Sequence, residues 1–159
     1  MVPRILAVGS VVLLALSLGL LFAHVLEMAP KLGYPPELYT RLNTSLYPFF
    51  GTVGAVVEVG ALLTSVALAI LVRRNRALFV PVSVSSVIQG LVLLLWFVVV
   101  SPVNDAFISA RPRVPPGFPG LRTSWETGHA IDAALLLVAL VVLVTGLVRP
   151  SLAAKASKT

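Results

Sequence analysis

Four long apolar runs, separated by shorter polar segments, dominate this amino-acid sequence. They extend over about residues 5–28, 48–72, 78–100 and 123–148. Because an α-helix rises about 1.5 Å per residue, each run is long enough to cross a bilayer core of about 30 Å. The pattern predicts an all-α, four-helix transmembrane bundle, formed by a single domain of residues 1–150 and followed by a short basic tail at 151–159.

The polar segments between the runs contain most of the prolines. Pro30 is predicted to end the first helix, because its ring nitrogen has no hydrogen to donate. Residues 36–46 are predicted to form a short amphipathic segment at the membrane interface. The connection 101–122 carries five prolines and is predicted to be a stiff, irregular lid over the bundle.

The composition supports a membrane protein and excludes several other classes. Hydrophobic residues make up 58% of the 159 residues and charged residues 11%, and the mean hydropathy is +1.00. The absence of cysteine excludes disulfides and thiolate metal sites. Gly51 and Gly54 lie in an apolar run without the strand and lysine of a phosphate-binding loop, so no nucleotide site is predicted.

The net charge of +6 is distributed in a way that predicts topology rather than nucleic-acid binding. The basic residues at one end of the four-span arrangement, where no acidic residue lies, are Arg4, Arg73, Arg74, Arg76, Arg149, Lys155 and Lys158. The acidic residues, all at the other end or in the adjacent half of a span, are Glu27, Glu37, Glu58, Asp105, Glu126 and Asp132. The positive-inside rule then places both termini and the tail in the cytoplasm, and the acidic end on the extracytoplasmic side of a bacterial-type plasma membrane.

A cluster of polar residues is predicted in the outer half of the bundle. Trp125, His129 and Asp132 follow helical spacing at the start of the fourth run. Glu58 lies within the second run, where a lipid-facing charge costs about 2.5–3.5 kcal/mol on insertion scales. His24 ends the first run at the same depth, so these side chains are predicted to converge on one outward-facing cavity. The predicted catalytic residues are His129, Asp132, Glu58, His24, Arg122 and Asn104, and the predicted substrate-binding residues are Trp125, Glu126, Glu27 and Gln89.

Two interpretations of this cluster remain open from the residues alone. The pairs His24-x-x-Glu27 and Glu126-x-x-His129, with Glu58 between them, are similar to the spacing of helical di-metal sites, so a metal ion is one candidate cofactor. The candidate metal ligands are His24, Glu27, Glu58, Glu126 and His129. In the other interpretation the pocket holds no cofactor, and His129 acts as a general base oriented by Asp132 or Glu126. Taken singly, Glu27, Glu126 and Arg122 also fit ordinary interface residues.

The sequence resembles a known family around the third and fourth runs. The segment Ser101-Pro102-Val103-Asn104-Asp105, then Leu121-Arg122, then Trp125-Glu126-x-x-His129 look like the small four-helix membrane proteins related to fungal anthrone oxygenases. The resemblance implies oxidation of a lipophilic polycyclic phenol to a quinone by molecular oxygen. By the same resemblance Asn104, Arg122, Trp125 and His129 are the positions that carry over, whereas Asp132 stands where the family often has a basic residue.

A second class of function is compatible with the same sequence. A short bundle with small residues along its helices also fits an accessory subunit of a larger membrane complex, or a homo-oligomer, in which the polar cluster binds a lipid, a quinone or a partner helix. A transport role is less favoured, because the chain shows no internal repeat. The predicted partners are therefore the bilayer, a lipophilic small molecule and a second membrane protein, and no nucleic acid.

The topology prediction is tested with reporter fusions. Fusions made after Arg76 and after Arg111 should report opposite sides of the membrane, because one span separates the two positions. Fusion of a phosphatase, active only outside the cytoplasm, and of a fluorescent protein, fluorescent only inside, gives paired readouts. Reports from the same side would exclude the four-span arrangement.

Overall fold

The computed structural model describes the backbone of residues 2–156 and the side chains of residues 3–148. Its helices are α1 (Val2–Leu32), α2 (Pro36–Ser45), α3 (Tyr47–Val72), α4 (Arg76–Leu95), a π-helical turn (Trp96–Val100), α5 (Ser101–Ala110) and α6 (Phe118–Ala156). No strand occurs in this described part. The backbone of residues 151–156 continues α6, and residues 157–159 of the predicted basic tail lie outside the described residues.

Four of the helices are long and apolar enough to cross a membrane, which confirms the predicted transmembrane bundle. These spans are Pro3–Leu32, Tyr47–Val72, Arg76–Ala110 and Phe118–Val148. α1 packs against α3 and α6, and α4 packs against the same two helices, so the four form a closed ring. Their outer faces carry large exposed apolar side chains such as Val8, Phe49 and Leu63. In a bilayer these side chains meet lipid, so they are not an uncovered core.

The two ends of the bundle differ in chemistry, and we name them accordingly. The α2 end contains α2, the last turns of α1 and α5 and the first turns of α3 and α6. The opposite arginine end contains Arg4, the turn at Arg73 and Arg74, and Arg76. Which end faces the cytoplasm stays a prediction from the positive-inside rule.

The prediction that Pro30 ends the first helix is wrong, because α1 continues to Leu32. The missing donor of Pro30 removes one helical hydrogen bond, and it does so where the helix is about to end anyway. The chain leaves the helix only afterwards, where the Gly33 nitrogen donates to the Pro30 carbonyl and the Tyr34 nitrogen to the Lys31 carbonyl, both at 3.1 Å. The extra turn keeps Lys31 on the inner face of α1, where it is buried.

The prediction that residues 101–122 form an irregular lid is also wrong for most of that segment. The third span runs on through the π-helical turn into α5, which ends at Ala110. Pro102 is tolerated because it lies in the first turn of α5. α6 begins at Phe118, five residues before the predicted position, so only residues 111–117 lack a helix. The predicted amphipathic segment is confirmed as α2.

Two buried clusters fill the bundle. Toward the middle and the arginine end the core is aliphatic and contains Leu14, Ala61, Leu68, Val82, Val92, Leu136 and Leu143. At the α2 end it is aromatic and contains Tyr39, Tyr47, Phe107, Phe118 and Trp125. Polar side chains are concentrated beside the aromatic cluster, so the wide rings shape the space in which those polar groups lie.

Close approach of α6 to α4 sets the relative height of these two helices. A Cβ atom on Gly146 would collide with the ring of Pro81, and one on Gly128 would lie 3.0 Å from the Val100 side chain. Glycine is therefore required at 146 by packing rather than by backbone conformation.

We expect Gly146→Ala to destabilise the bundle, because added volume in a filled contact costs about 1–3 kcal/mol. Gly9→Ala is the matched control, since a Cβ there has no neighbour within 4 Å and alanine gains about 0.5–1 kcal/mol over glycine inside a helix. Thermal unfolding in detergent should show a lower midpoint for Gly146→Ala and an unchanged or higher one for Gly9→Ala. Equal midpoints would contradict the close contact.

Candidate functional site

A cavity of about 360 Å³ lies inside the bundle at the α2 end. α1, α3, α6 and the α4–α5 region all contribute to its wall, and α2 contributes Asn43. The polar and aromatic residues that line it are His24, Asn43, Tyr47, Phe50, Thr52, Glu58, Trp96, Ser101, Asn104, Asp105, Trp125 and His129. Five of the ten predicted site residues are among them: His24, Glu58, Asn104, Trp125 and His129.

Two histidines from different helices meet at this cavity. The ring centroids of His24 on α1 and His129 on α6 are 4.6 Å apart in an edge-to-face arrangement. Both residues are 6% exposed. Side chains on a helix lean toward its N-terminus, so those of antiparallel α1 and α6 lean toward each other. The ring contact joins α1 to α6 at the cavity.

The hydrogen bond of His129 determines which of its ring nitrogens is left as an acceptor. Its Nδ1 lies 2.8 Å from the backbone carbonyl oxygen of Trp125. A carbonyl oxygen only accepts, so Nδ1 carries the hydrogen and donates it. In the neutral ring Nε2 then bears the free lone pair, which is the arrangement a general base requires.

Trp125 connects the histidines to α5. Its indole Nε1 donates to Asn104 Oδ1 at 2.9 Å. Its ring lies 4.1 Å from the ring of His129 and 5.0 Å from that of His24. Because Asn104 Oδ1 is the acceptor, the amide NH₂ of Asn104 is the group left for other partners. A single indole therefore supports both histidine rings and orients an amide donor in the cavity wall.

A buried lysine closes the cavity region toward the α2 end. Lys31 is 2% exposed, and its Nζ lies 3.2 Å from Glu126 Oε1 and 3.7 Å from Glu27 Oε2. The ammonium also lies over the rings of Trp125 and Tyr47, at 4.3 and 4.9 Å from their centroids. A buried ammonium requires such compensation, since an unpaired charge away from water is strongly unfavourable.

Two tyrosines complete this charged cluster. The hydroxyl of Tyr39 donates to Glu126 Oε1 at 2.8 Å, and that of Tyr47 donates to Glu27 Oε2 at 2.7 Å. Burial, with the adjacent Glu126, raises the pKa of the Tyr39 phenol, so Tyr39 stays protonated as the donor. We call Lys31, Glu27, Glu126, Tyr39 and Tyr47 the lysine seal. Glu126 and Glu27, predicted to bind substrate, are partners of this seal.

Two carboxyl groups lie deeper in the bundle than the lysine seal, and they lack the partners that the carboxylates of the seal have. Asp132 is 1% exposed, and neither of its oxygens has a hydrogen-bond partner among the described residues. Glu58 lines the cavity, and its Oε1 is likewise without a partner in that part of the chain. The two groups lie near enough to interact electrostatically. Their oxygens are therefore free to hold protons, water or a bound molecule.

Two predicted site residues lie away from the cavity. Gln89 donates through Nε2 to Ser65 Oγ at 3.1 Å and to Ser85 Oγ at 3.2 Å, in a polar contact between α3 and α4. Arg122 donates to the carbonyl of Leu32 at 3.1 Å and lies over the Phe118 ring, which ties α6 to the end of α1. The contacts of both are with the protein itself.

The donor set gives no geometric support to the metal interpretation. Within the residues that the structure describes, no group of three or more His, Asp and Glu side chains could hold a metal ion. Two of the five candidate ligands, Glu27 and Glu126, already face Lys31. The metal site stays a prediction that the arrangement of ligands does not favour.

Several residues of the site could not be found from the sequence pattern. Lys31, Tyr39 and Tyr47 lie in the polar segment between the first two apolar runs, and Trp96 lies in the third run, so their positions in the sequence give no indication of the site. A signal for Lys31 does exist: it lies four residues after Glu27, but it is recognised only if the helix continues past Pro30.

Comparison of the chain with protein-family models, with curated proteins and with solved structures finds no match. The resemblance to anthrone oxygenases rests on the residues quoted above and stays a prediction.

We expect Lys31→Met to lower the unfolding midpoint strongly, because removing one partner of a buried ion pair costs about 3–5 kcal/mol. Adding Glu126→Gln in the same chain should recover part of the loss, since it removes the carboxylate left without a cation. Arg113→Met, at an exposed base near the same end, is the matched control. Thermal unfolding in detergent measures all three, and a Lys31→Met protein as stable as the control would show that the seal is not structural.

Proposed function

We propose that this protein is a membrane-embedded oxidoreductase of the anthrone oxygenase type, which binds a lipophilic aromatic substrate in the cavity at the α2 end. The observation that carries the proposal is the His129 ring in the cavity wall, with Nδ1 held by a carbonyl and Nε2 left as the base. Around it stand the aromatic rings of Trp125, Tyr47 and Phe50.

The cavity has the size and lining that such a substrate requires. Its volume of about 360 Å³ lies in the range of about 300–1,000 Å³ common for small-molecule sites. Aromatic walls stack on flat ring systems, whereas the polar groups around them fix the orientation of a bound molecule. A flat ring system with an oxygen substituent matches this mixture better than a sugar or an ion does.

The proposed chemistry begins with proton removal. In an anthrone the methylene carbon is flanked by two aromatic rings and conjugated to a ketone, so its hydrogen is acidic. His129 Nε2 takes this proton, and the negative charge moves to the ketone oxygen. The amide NH₂ of Asn104, freed by the bond from Trp125 to its Oδ1, is the donor that stabilises this oxygen.

Molecular oxygen then acts as the oxidant. The carbanion passes electrons to O₂ and forms a carbon–oxygen bond at the former methylene. The O–O bond breaks as the second methylene hydrogen is lost. One oxygen atom of O₂ remains as the new ketone, the other leaves as water with both hydrogens, and the product is a quinone. Glu58, with an unpartnered carboxyl oxygen in the same cavity, is placed to exchange protons during these steps.

We expect His129→Ala and His129→Gln to lower the rate of anthrone oxidation by about 10²–10⁴-fold, the usual contribution of a general base. The purified protein in liposomes is supplied with anthrone, and quinone absorbance and oxygen uptake are recorded together. Thr123→Ala, at an exposed residue on the same helix, is the matched control and should keep full activity. Thermal unfolding of each variant separates a lost base from a lost fold.

Each negative result identifies a different error. No turnover by the unaltered protein would exclude this substrate class, and stoichiometric copurification of another membrane protein would then favour the accessory-subunit function. Full turnover by folded His129 variants would instead retain the oxidoreductase and exclude His129 as the base.

A further inference from the structure

The cavity opens to the outside of the bundle between α3 and α5. α3 packs along α4, but beyond Leu95 the chain packs mainly on α6 and α2 instead of continuing along α3. The hydrogen bond from Gln89 to Ser65 joins α4 to α3, whereas α5, farther along the chain, packs on α2 and α6. The exposed lining residues Pro48, Gly51, Thr52, Asp105 and Ile108 stand on the two sides of this gap.

The π-helical turn at Trp96–Val100 explains the separation. A π-helical turn contains more residues than an α-helical one and commonly bends the helix that contains it. Here it is followed at once by Pro102, which removes another backbone donor. α5 packs on α2 and α6 instead of on α3, which leaves space beside α3.

The same cavity is covered on the side away from the bundle centre. α2 packs on both α3 and α5. The face of α2 that is turned toward the bundle is buried and carries Tyr39, Thr40, Asn43 and Thr44. The lysine seal lies beside this cover, between α1 and α6. In the opposite direction Leu14, Val92 and Leu136, each at most 1% exposed, form an apolar layer below Glu58 and Asp132. The gap between α3 and α5 is therefore the lateral entrance to the cavity from the bilayer.

We infer that the substrate enters sideways from the bilayer, through the gap between α3 and α5, and that it is an amphipathic molecule with a flat polar ring system and an apolar part. This inference rests on the proposed function and names the class of its substrate. The polar and aromatic residues at the inner end of the gap receive the ring system. Ile108, Pro48 and the neighbouring Phe49, which is 72% exposed, are the apolar surface that the remainder of the molecule meets.

The depth of the gap fits this substrate class. Thr52 and Asp105 lie near the end of their spans, where headgroups and acyl chains meet, because about 20 residues suffice to cross the hydrocarbon core. A molecule that concentrates at this boundary arrives at the gap already oriented, with its polar end at the level of the polar rim. A fully apolar hydrocarbon would distribute deeper, and a soluble sugar or nucleotide would not reach the gap through lipid.

The sequence offers an internal probe of this route, since both of its tryptophans line the cavity. In Trp96→Phe the remaining fluorophore is Trp125, which is 1% exposed. We use liposomes of phosphatidylcholine brominated on the acyl chain near the headgroup, near the chain end, or not at all. Bromine quenches tryptophan only at short range, so quenching of Trp125 reports that lipid chains reach the cavity. Quenching should be stronger for bromine near the headgroup.

Blocking the gap should abolish this quenching. Gly51→Phe places a large ring at the mouth, where an added Cβ meets nothing within 4 Å. Gly9→Phe, at a glycine with equally open surroundings away from the cavity, is the matched control. In the Trp96→Phe background, loss of quenching in the Gly51 variant and its retention in the Gly9 variant support the lateral route.

Two results would overturn the inference. Equal quenching in the Gly51 and Gly9 variants would show that lipid does not use the gap, and stronger quenching by iodide in the water than by brominated lipid would show entry from the aqueous side. Neither result depends on turnover, so the route fails or holds separately from the oxidoreductase chemistry, which the anthrone assay with His129 variants tests.

Discussion

The fold at the α2 end depends on the need to compensate one buried ammonium group. Lys31 is buried, and the groups that compensate it come from four elements: Glu27 from α1, Glu126 and Trp125 from α6, Tyr47 from α3, and Tyr39, through Glu126, from α2. Unpaired, the charge would be prohibitive inside a membrane domain. The four elements are therefore held in one arrangement by a local electrostatic requirement, in a place where apolar packing against lipid gives little directional preference.

This requirement also separates two pairs of acidic residues. Glu126 and Glu27 face the cation and accept from tyrosine hydroxyls, so their charge is compensated. Glu58 and Asp132 lie deeper and form no ion pair in the described part of the chain, where Glu58 Oε1 and both Asp132 oxygens also have no hydrogen-bond partner. The first pair is explained by stability, because these carboxylates compensate the charge of Lys31. The second pair lowers the stability of the fold, because its carboxyl groups are removed from water without compensation. Uncompensated buried carboxyl groups are typical of functional sites.

The sequence alone predicts much of the fold, because four spans follow directly from run length and polarity. It also predicts that His24, Glu58 and His129 meet at one cavity, because polar side chains at equal depth on neighbouring helices avoid lipid by facing the inside of the bundle. The lysine seal and α5 could not be predicted. A helix that continues through Pro30, or through a π-helical turn before Pro102, is stabilised by tertiary contacts that override local preference. Gln89, predicted to bind substrate, contacts Ser65 between α3 and α4, a pairing that depends on how the two helices pack.

One residue links the seal to the chemistry. Trp125 lies under the Lys31 ammonium, donates its indole hydrogen to Asn104 and offers its backbone carbonyl to His129. Lys31 thus packs on the indole of Trp125; the indole nitrogen orients the Asn104 amide, and the backbone carbonyl of the same residue leaves Nε2 of His129, the proposed base, free. A preorganised pair of this kind is what stabilises developing charge without rearrangement during reaction. In the proposed function the buried ion pair therefore supports the geometry of the base and the donor, although none of its charged groups has to touch the substrate.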